Sequence, residues 1–338
     1  MGGDRAPEAV IEGACIARVR HAGLRFLLVG DEARIGALLA RCPELAAVAT
    51  VRHTVEVIGP EDRPSVALRR GKRSSMRIAL EAVRDGEALG VVSAGNTGAL
   101  MALAKAVLKT LPGIHRPALA SIVPTRRGET VFLDLGANLD CTAENLFQFA
   151  VMGEVFARTV LGVIKPTVGL LNVGVETTKG NKTVQAAATM LQDDRLPLEF
   201  HGFVEGDAIT AGKVDVVVTD GFTGNVALKT AEGTMRLYSE FLREAIKHSL
   251  ISRLGYLLAR PALSALRDRL DPRRYDGAVF LGLNGIAVKS HGATDALGFA
   301  TAIGFAVDMS KEGFNDKVVA ELSQWHADQA SESEATAL

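Results

Sequence analysis

The chain uses one phrase twice, and this repeat limits the possible fold more than any other feature. Residues 91–98 and 217–224 share the pattern V-V-[ST]-x-G-x-T-G. Each copy follows a β-branched apolar run and precedes a helical pattern, which covers 99–103 after the first copy and 225–228 after the second. A buried strand, a glycine turn and a helix start together direct backbone N–H groups at an anion. The repeat therefore predicts an α/β protein with anion-binding turns at strand ends.

Strand-like runs alternate with helical patterns along the chain. Most of the runs are continuously apolar, which is typical of a sheet covered on both faces. The alternation predicts a three-layer α/β/α fold around a doubly wound, mostly parallel sheet, with ligands at the carboxyl ends of the strands. We predict strands at 26–29, 54–58, 89–93, 119–123, 130–135, 167–173, 199–204, 214–219 and 285–289.

Charge and cysteine content exclude several classes of protein. Lys plus Arg (38) nearly balances Asp plus Glu (39), and aromatic residues make up only 5% of the 338 residues, so we expect no nucleic-acid partner. Three widely spaced cysteines without a C-x-x-C pair fit a reducing cytoplasm and give no zinc site. No apolar run approaches the ~20 residues that span a bilayer. We expect a soluble, cytoplasmic protein.

One stretch, 244–270, interrupts the α/β alternation with helical spacing only. Pro261 is expected to end one helix and open another, which gives a helical hairpin at about 240–275. Arg253, Arg260 and Arg267 recur every seven residues and form one stripe on a helix. The hairpin could be a dimer element, a membrane-surface patch, a dock for an acidic partner or a core-packing pair. Residues 1–326 are predicted to form one domain, and 327–338 a disordered tail.

Familiar motifs for other chemistries are missing. There is no G-x-G-x-x-G, residues 206–213 miss the P-loop spacing, and 90–95 are one residue off a nucleophile elbow. No pair of histidines or carboxylates has metal-ligand spacing, so we predict no metal.

Six polar, glycine-containing turns remain as candidate ligand-binding segments, at 1–4, 93–98, 135–138, 174–181, 220–225 and 289–293. Glycine lets backbone amides approach an anion closely, and Thr or Asn adds hydrogen bonds. Any one turn is also explained by ordinary cap and turn chemistry. Six on the same sheet edge predict a site for phosphate or substrate, with the candidate residues Gly2, Gly3, Asp4, Gly95, Asn96, Thr97, Gly98, Asn138, Asp220, Thr223 and Gly224.

Three further side chains carry possible chemistry. Lys179 lies in a polar loop and could neutralise a phosphate or an oxyanion, although a solvated loop lysine is an equal alternative. His291 could act as an acid or be a plain turn residue. Cys141 stands at a helix start that would stabilise a thiolate, yet a buried inert thiol is the alternative we favour.

Seven phrases together resemble the PlsX family of bacterial acyl carrier protein:phosphate acyltransferases. They are MGGD at 1–4, SAGNTGAL at 93–100, LDLGAN at 133–138, LNVGVETTKGN at 171–181, GFVEGD at 202–207, VVVTDGFTGNVALKTAEG at 216–233 and KSHGATDALGF at 289–299. They occur in order along nearly the whole chain. One departure is that the short strand which family members carry before MGGD is not in this sequence.

The resemblance implies a homodimer with a fold shared by phosphotransacetylases and isopropylmalate dehydrogenases. It implies transfer of a fatty acyl group from acyl carrier protein to inorganic phosphate, without metal or cofactor. It also implies peripheral association with the inner face of an anionic membrane. The acyl phosphate would feed a glycerol-3-phosphate acyltransferase in phospholipid synthesis.

These expectations combine in a hypothesis of direct attack by phosphate on the thioester. The glycine turns would hold phosphate, Lys179 and Asn225 would stabilise the oxyanion, and His291 would protonate the leaving thiolate. The second copy of the repeat would present Asp220 and Asn225 to the carbonyl. The alternatives are an acyl-enzyme on Cys141, a short-chain phosphotransacylase that uses CoA thioesters, and a non-catalytic scaffold that binds acyl carrier protein through the arginine stripe.

Overall fold

A computed structural model describes residues 1–193, 196 and 198–336, and its strands form two sheets. Within these residues the large sheet has eight strands in the order β3-β10-β9-β4-β5-β8-β6-β7, and β1 pairs in parallel with β2. The strands are β1 Phe26–Gly30, β2 Ala49–His53, β3 Gly90–Ser93, β4 Ala118–Pro124, β5 Glu129–Leu133, β6 Thr167–Leu171, β7 Glu199–Val204, β8 Val216–Val218, β9 Ala278–Leu281 and β10 Ile286–Lys289.

Helices cover both faces of the large sheet and confirm the three-layer α/β/α fold. Helices α4, α5, α6 and α9 enclose one core, and α7, α8, α12 and α13 enclose the other. The helices are α1 Glu8–Arg20, α2 Glu32–Leu39, α3 Pro43–Ala46, α4 Pro64–Arg70, α5 Ser75–Arg84, α6 Thr97–Leu108, α7 Ala143–Val160, α8 Lys182–Leu191, α9 Gly206–Ala211, α10 Gly221–Lys247, α11 Leu250–Arg269, α12 Ala296–Lys311 and α13 Phe314–Thr336.

Burial explains why the apolar runs form these layers. Helix α7 is apolar on nearly every side because it lies between the sheet and the outer helices, and Phe147 and Phe156 are each 1% exposed. Each such phenylalanine contributes about 1.5–3 kcal/mol through apolar burial. On the other face Leu100 and Leu103 of α6 are completely buried. A third, smaller core lies between α1–α3, the β1–β2 pair and α12.

Strand β4 runs antiparallel to both of its neighbours, and the strand directions decide at which edge of the sheet each predicted turn lies. β4 is antiparallel to both of its neighbours, β9 and β5, whereas β3 is parallel to β10 and β5, β8, β6 and β7 are parallel to one another. We call the edge at the carboxyl ends of β3, β4 and β10 the upper edge, and the edge at the carboxyl ends of β5, β6 and β8 the lower edge. The expectation that all six turns share one edge is therefore wrong.

The reversal has a simple cause in the sequence. Only four residues, 125–128, connect β4 to β5, and a crossover between parallel strands needs a dozen or more. Two strand assignments also differ from expectation. The second strand is Ala49–His53, and 54–58 are irregular because the Thr54 hydroxyl and the Glu56 carbonyl bond to the segment 73–75 instead. Strand β9 was missed.

The helical hairpin exists, but its break lies elsewhere. It consists of α10 and α11, and the chain turns at His248 and Ser249, where the Ser249 hydroxyl accepts from the Ser252 N–H at 3.0 Å. Pro261 lies inside α11 and does not end a helix. After Gly224, no described side chain of either helix is buried.

Three further findings concern the cysteines, the carboxyl end and membrane spans. Cys15 and Cys42, for which we expected no pairing, form a disulfide between α1 and the start of α3, and Cys141 is free. The segment 327–336, expected to be disordered, continues α13 because its Ala and Glu favour helix, and 337–338 lie outside the described residues. Among the described helices, none is both long and apolar enough to span a membrane.

Candidate active site

Three turns meet at the upper edge of the sheet. Gly3 has a φ of +100°, and a Cβ there would lie 2.8 Å from the Ala94 Cβ and 3.2 Å from the carbonyl oxygens of Ala94 and Gly292, so the position requires glycine. The Asp4 N–H donates to the same Gly292 carbonyl at 2.8 Å. We call this junction the upper cluster. It joins turns that are distant in sequence and includes the predicted residues Gly2, Gly3, Asp4, Gly95, Asn96, Thr97 and Gly98.

Asn96 begins α6 as its N-cap. Its Oδ1 accepts from the Ala99 N–H at 3.0 Å, and its Nδ2 donates to the carbonyls of Gly59, Pro60 and Asp62. Both the oxygen and the nitrogen of the side-chain amide therefore form hydrogen bonds within the protein, as expected of a helix N-cap. Its contribution to a ligand site is the helix start that it creates.

The first turn of α6 offers backbone N–H groups to an anion. Thr97 and Gly98 hold the first two helical positions, whose N–H groups have no acceptor within the helix. The positive end of the helix dipole adds to their attraction for negative charge. This end of the upper cluster is suited to bind phosphate.

Sequence reasoning missed two charged residues of the upper cluster. Lys289 is only 8% exposed at the end of β10, and its Nζ donates to the carbonyls of Ala94 (3.4 Å) and Ser290. Asp276 accepts from the His291 N–H at 2.8 Å and from the Ser290 hydroxyl at 3.2 Å. Burial lowers the pKa of Lys289 to about 8, although Asp276 and Asp4 oppose this shift. The K-S-H-G phrase was a usable signal, since a lysine after three apolar strand residues needs a polar partner.

His291 lies on the exposed side of the same turn. Its Nδ1 accepts from the Ala293 N–H at 3.2 Å. The neutral ring then carries its proton on Nε2. The exposed Nε2–H next to the three turns can donate a hydrogen bond to a ligand, and transfer of a proton to a leaving group would use the imidazolium form of the ring.

A second set of turns meets at the lower edge around Asp134, which sequence reasoning did not select. Its fully buried carboxylate accepts from the backbone N–H of Leu119 (2.9 Å), Ala137 (3.0 Å) and Asn138 (2.7 Å), and from the Asn138 side chain (2.8 Å). Burial raises its pKa, and these donors counteract the rise. Asn138 also donates to the Pro117 carbonyl at 2.8 Å, so both N–H groups of its side-chain amide have partners within the protein.

The start of α10 closes against this turn, and we call the two together the lower cluster. Asp220 caps α10 by accepting from both the N–H and the hydroxyl of Thr223 at 2.8 Å. A Cβ at Gly224 would collide with the Asp134 carbonyl, so glycine is required for this contact. Asn225 is exposed, and its Nδ2 donates to the Leu135 carbonyl at 3.2 Å. Its amide can therefore still reach a ligand.

The loop after β6 presents Lys179 at the same edge. Its side chain is exposed and packs along Gly174, while its carbonyl accepts from Asn172 at 3.2 Å. The loop is thus fixed through its backbone, and the ammonium is free to meet an anion from solution.

The upper and lower clusters are not in contact. They lie at ends of strands that run in opposite directions, so the two copies of the V-V-[ST]-x-G-x-T-G phrase open at opposite edges of the sheet. The structure brings Gly2–Asp4 to the first copy, and Asn138 to the second.

Cys141 is half-buried beside the lower cluster, with its thiol 3.8 Å from the Asn138 carbonyl. Burial, and then the charge of Asp134, raise the pKa of the thiol to about 12. A neutral thiol is a poor nucleophile, which weighs against an acyl-enzyme on this residue.

Arg253, Arg260 and Arg267 are all exposed on α11. Among the described residues no group of three or more His, Cys, Asp or Glu side chains could hold a metal ion.

Comparison with known proteins gives a family and a fold. Residues 1–317 match the family model described as "Fatty acid synthesis protein". The chain is 62% identical to a phosphate acyltransferase of Rhodospirillum centenum over 97% of this chain and 92% of that protein. It is 59% identical to one of Rhodospirillum rubrum, with 96% and 93% covered.

Solved structures resemble the chain in fold only. A phosphotransacetylase from Streptococcus pyogenes has a TM-score of 0.55 at 19% identity and covers 88% of this chain and 97% of its own. A branched-chain phosphotransacylase from Enterococcus faecalis has a TM-score of 0.54 at 14% identity, with 92% and 97% covered.

Proposed function

The chain belongs to the family of fatty acid synthesis proteins, and we propose that it transfers a fatty acyl group from acyl carrier protein to inorganic phosphate for phospholipid synthesis. Its curated relatives are phosphate acyltransferases, so acyl transfer to phosphate is the reaction of this enzyme. The carrier protein as donor, and acyl phosphate as a precursor of phosphatidic acid, are the proposed part.

The proposed step is one displacement. A phosphate oxygen forms a bond to the thioester carbonyl carbon, and the carbon–sulfur bond of the carrier's phosphopantetheine arm breaks. The sulfur leaves as a thiolate and takes up a proton, for which His291 is the candidate donor at the upper cluster. Phosphate is already a competent nucleophile, so no enzyme nucleophile is needed, in keeping with the raised pKa of the Cys141 thiol.

One observation carries the proposal for phosphate: three glycine turns, the start of α6 and a buried lysine amine meet at the upper cluster. The N–H groups of Thr97 and Gly98 and the helix dipole favour a dianion there. Proximity of phosphate to the thioester would account for much of the rate.

Lys179 and Asn225 remain the proposed oxyanion donors. Both are exposed and free to reach a ligand, but they lie at the lower edge. The attacking phosphate oxygen and the oxyanion are bonded to the same carbon, so one displacement can use donors at only one edge of the sheet. Variants of the lower cluster and of the upper cluster decide at which edge the reaction takes place.

The first experiment incubates the purified protein with a palmitoyl thioester of acyl carrier protein, with and without phosphate. We expect free carrier and a hydroxylamine-trappable acyl phosphate only when phosphate is present. Carrier release without phosphate, or no release at all, would contradict the proposal. If no carrier is released but the protein still binds acyl carrier protein, the result would support a non-catalytic scaffold. Equal or faster turnover of acetyl-CoA would indicate a short-chain phosphotransacylase.

The hairpin supports the proposed homodimer and the proposed contact with an anionic membrane. Its exposed apolar side chains include Tyr238 and Phe241, each 60% exposed, and Leu258, 77% exposed. Apolar surface of this kind is typical of a covered interface, and the arginine stripe on α11 supplies the charge that anionic lipid attracts. A membrane location would place the acyl phosphate where a glycerol-3-phosphate acyltransferase can use it.

A further inference from the structure

Lys289 is a buried lysine in a position that packing alone would give to an apolar residue. It ends β10, between β3 and β9, and the three strand residues before it are buried and apolar. Removing an ammonium from water is unfavourable unless other groups compensate. A methionine would fill the same space without that cost, so the amine requires a reason beyond packing.

The contacts of the amine give that reason. Its Nζ donates to the carbonyl of Ala94, in the turn before α6, and to the carbonyl of Ser290, in the turn after β10. Two of its three N–H groups thus tie together two turns of the upper cluster. Because a peptide group is planar, fixing the Ala94 carbonyl also fixes the direction of the Gly95 N–H. That N–H donates to the Ser93 hydroxyl at 3.2 Å, so the fixed peptide also sets the geometry of the turn beside which phosphate is proposed to bind.

Two carboxylates face the amine from separate elements. Asp4 approaches from the amino-terminal turn, and Asp276 from the segment before β9. Asp276 is itself held by the Ser290 and Thr294 hydroxyls and by the His291 N–H. The positive charge therefore lies at the centre of the junction, where it offsets one of the two negative charges that would otherwise repel an entering anion.

We propose that Lys289 is a positioning residue for phosphate, which locks the 94–98 turn against the 290–292 turn and lessens the repulsion that Asp4 and Asp276 exert on a dianion at the start of α6. This inference rests on the proposed phosphate site. It predicts an effect on phosphate in particular, and not on the thioester substrate.

The test compares Lys289→Met with Lys105→Met, an exposed lysine on α6 that serves as the control. We expect Lys289→Met to raise the phosphate KM by at least about tenfold, with the KM for palmitoyl carrier protein within about twofold of wild type. Lys105→Met should leave both unchanged. Circular dichroism melting establishes that both variants are folded.

The pH profile provides a readout that a purely structural lysine would not change. Burial lowers the pKa of the amine to about 8, so its charge is lost as the pH rises through that value. The wild-type phosphate KM should therefore rise above pH 8, where phosphate is largely dianionic. Replacing Asp276 by Asn removes a negative charge that raises this pKa. The break in the pH profile, which is the pH above which the phosphate KM rises, should therefore move to lower pH. This second variant keeps the test usable if Lys289→Met does not fold.

The outcomes separate the two levels of the argument. An unchanged phosphate KM in folded Lys289→Met, or a break that Asp276→Asn does not move, overturns the inference about Lys289. A parallel rise in both KM values also overturns it. A wild-type enzyme whose thioester turnover ignores phosphate would instead overturn the proposed function.

Discussion

Lys179 and Asn225 can each be removed without disturbing a buried side chain, because both are exposed. If they stabilise the oxyanion, each alanine variant should lower kcat by about 100-fold or more, since one donor of this kind typically supplies about 3 kcal/mol. Acyl phosphate formation by Lys179→Ala and Asn225→Ala measures the effect. Asn225→Ala also loses the 3.2 Å bond to Leu135, so its thermal stability is measured alongside.

Lys182→Ala is the matched control for the lysine, because Lys182 is exposed three residues later at the start of α8. It should keep wild-type kcat. Rates near wild type in both Lys179→Ala and Asn225→Ala would remove the lower cluster from the chemistry and leave the upper cluster as the whole site.

Glu154 gives a prediction about stability. It is 2% exposed on α7 and pairs with Arg158 at 3.0 Å, and Arg158 also pairs with Glu321 on α13. Burial raises the pKa of Glu154 to about 7, above its ordinary value of 4.5. The folded state therefore favours the protonated acid. The stability that this preference gives the folded protein is fully present below pH 4.5 and is lost as the pH rises through about 7.

We expect the wild type to become less stable as the pH is raised from 5 to 8, so its urea midpoint should decrease. The corresponding loss in free energy of unfolding should be no more than about 3 kcal/mol. Glu154→Gln should flatten this dependence and be the more stable protein at pH 8, with Arg158 still paired to Glu321. Glu12→Gln, an exposed change on α1, is the control. Equal slopes in wild type and Glu154→Gln would contradict the prediction.

At the scale of elements, local chemistry was readable and strand direction was not. The repeat phrase predicted two capped helix starts, and Asn96 and Asp220 are indeed N-caps. Local periodicity predicted β4 as a strand but could not supply its direction, because its antiparallel neighbours depend on tertiary pairing. The short 125–128 connection was the one usable sign of the reversal. Strand β9 has only four residues, too few for a distinctive pattern.

The same limit explains the residues that were missed. Asp276 accepts hydrogen bonds from residues that follow it by 14 to 18 positions, so a motif search passes over it. Asp134 stands inside the LDLGAN phrase, but its burial and its contact with the Leu119 N–H depend on tertiary packing. Lys289 is the first residue of the KSHGATDALGF phrase, but its importance lies in a contact with Ala94, 195 residues away in sequence. Burial and partners, rather than residue type, identify these groups.

The arginine stripe on α11 gives a prediction for a single element. Arg253, Arg260 and Arg267 are exposed, and a seven-residue spacing returns to within about 20° of the same helix face. Each basic residue near an anionic surface contributes about 1 kcal/mol to binding. Replacing all three by Glu should therefore abolish sedimentation with phosphatidylglycerol vesicles while the melting temperature stays unchanged.

The control reverses Arg20, Arg25 and Arg41, which are equally exposed but lie on and around α1 and α2. It should leave vesicle binding intact. If the α11 variant still sediments, and its KM for acyl carrier protein rises instead, the stripe serves the carrier. If neither quantity responds, the stripe has no role in binding.

At the scale of the molecule, the exposed apolar surface of the hairpin implies that something covers it. Met235, Leu237, Tyr238, Phe241 and Leu242 of α10 are all at least 36% exposed, and α11 adds Leu254, Leu257 and Leu258. A specific dimer buries about 1,200–2,000 Å² in total, which two copies of such a helical pair can supply. We expect light scattering to give twice the 35.7 kDa chain mass.

The decisive variant places charge in the middle of this surface. Tyr238→Glu combined with Phe241→Glu puts charges at i and i+3, which share one face of α10. Because charges without partners oppose burial, the pair should shift the mass to that of one chain. Ile164→Glu, at an apolar residue that is 89% exposed outside the hairpin, is the control and should not change it. A wild type that is monomeric in solution, yet binds vesicles only with Tyr238 and Phe241 intact, would assign the surface to the membrane and refute the dimer.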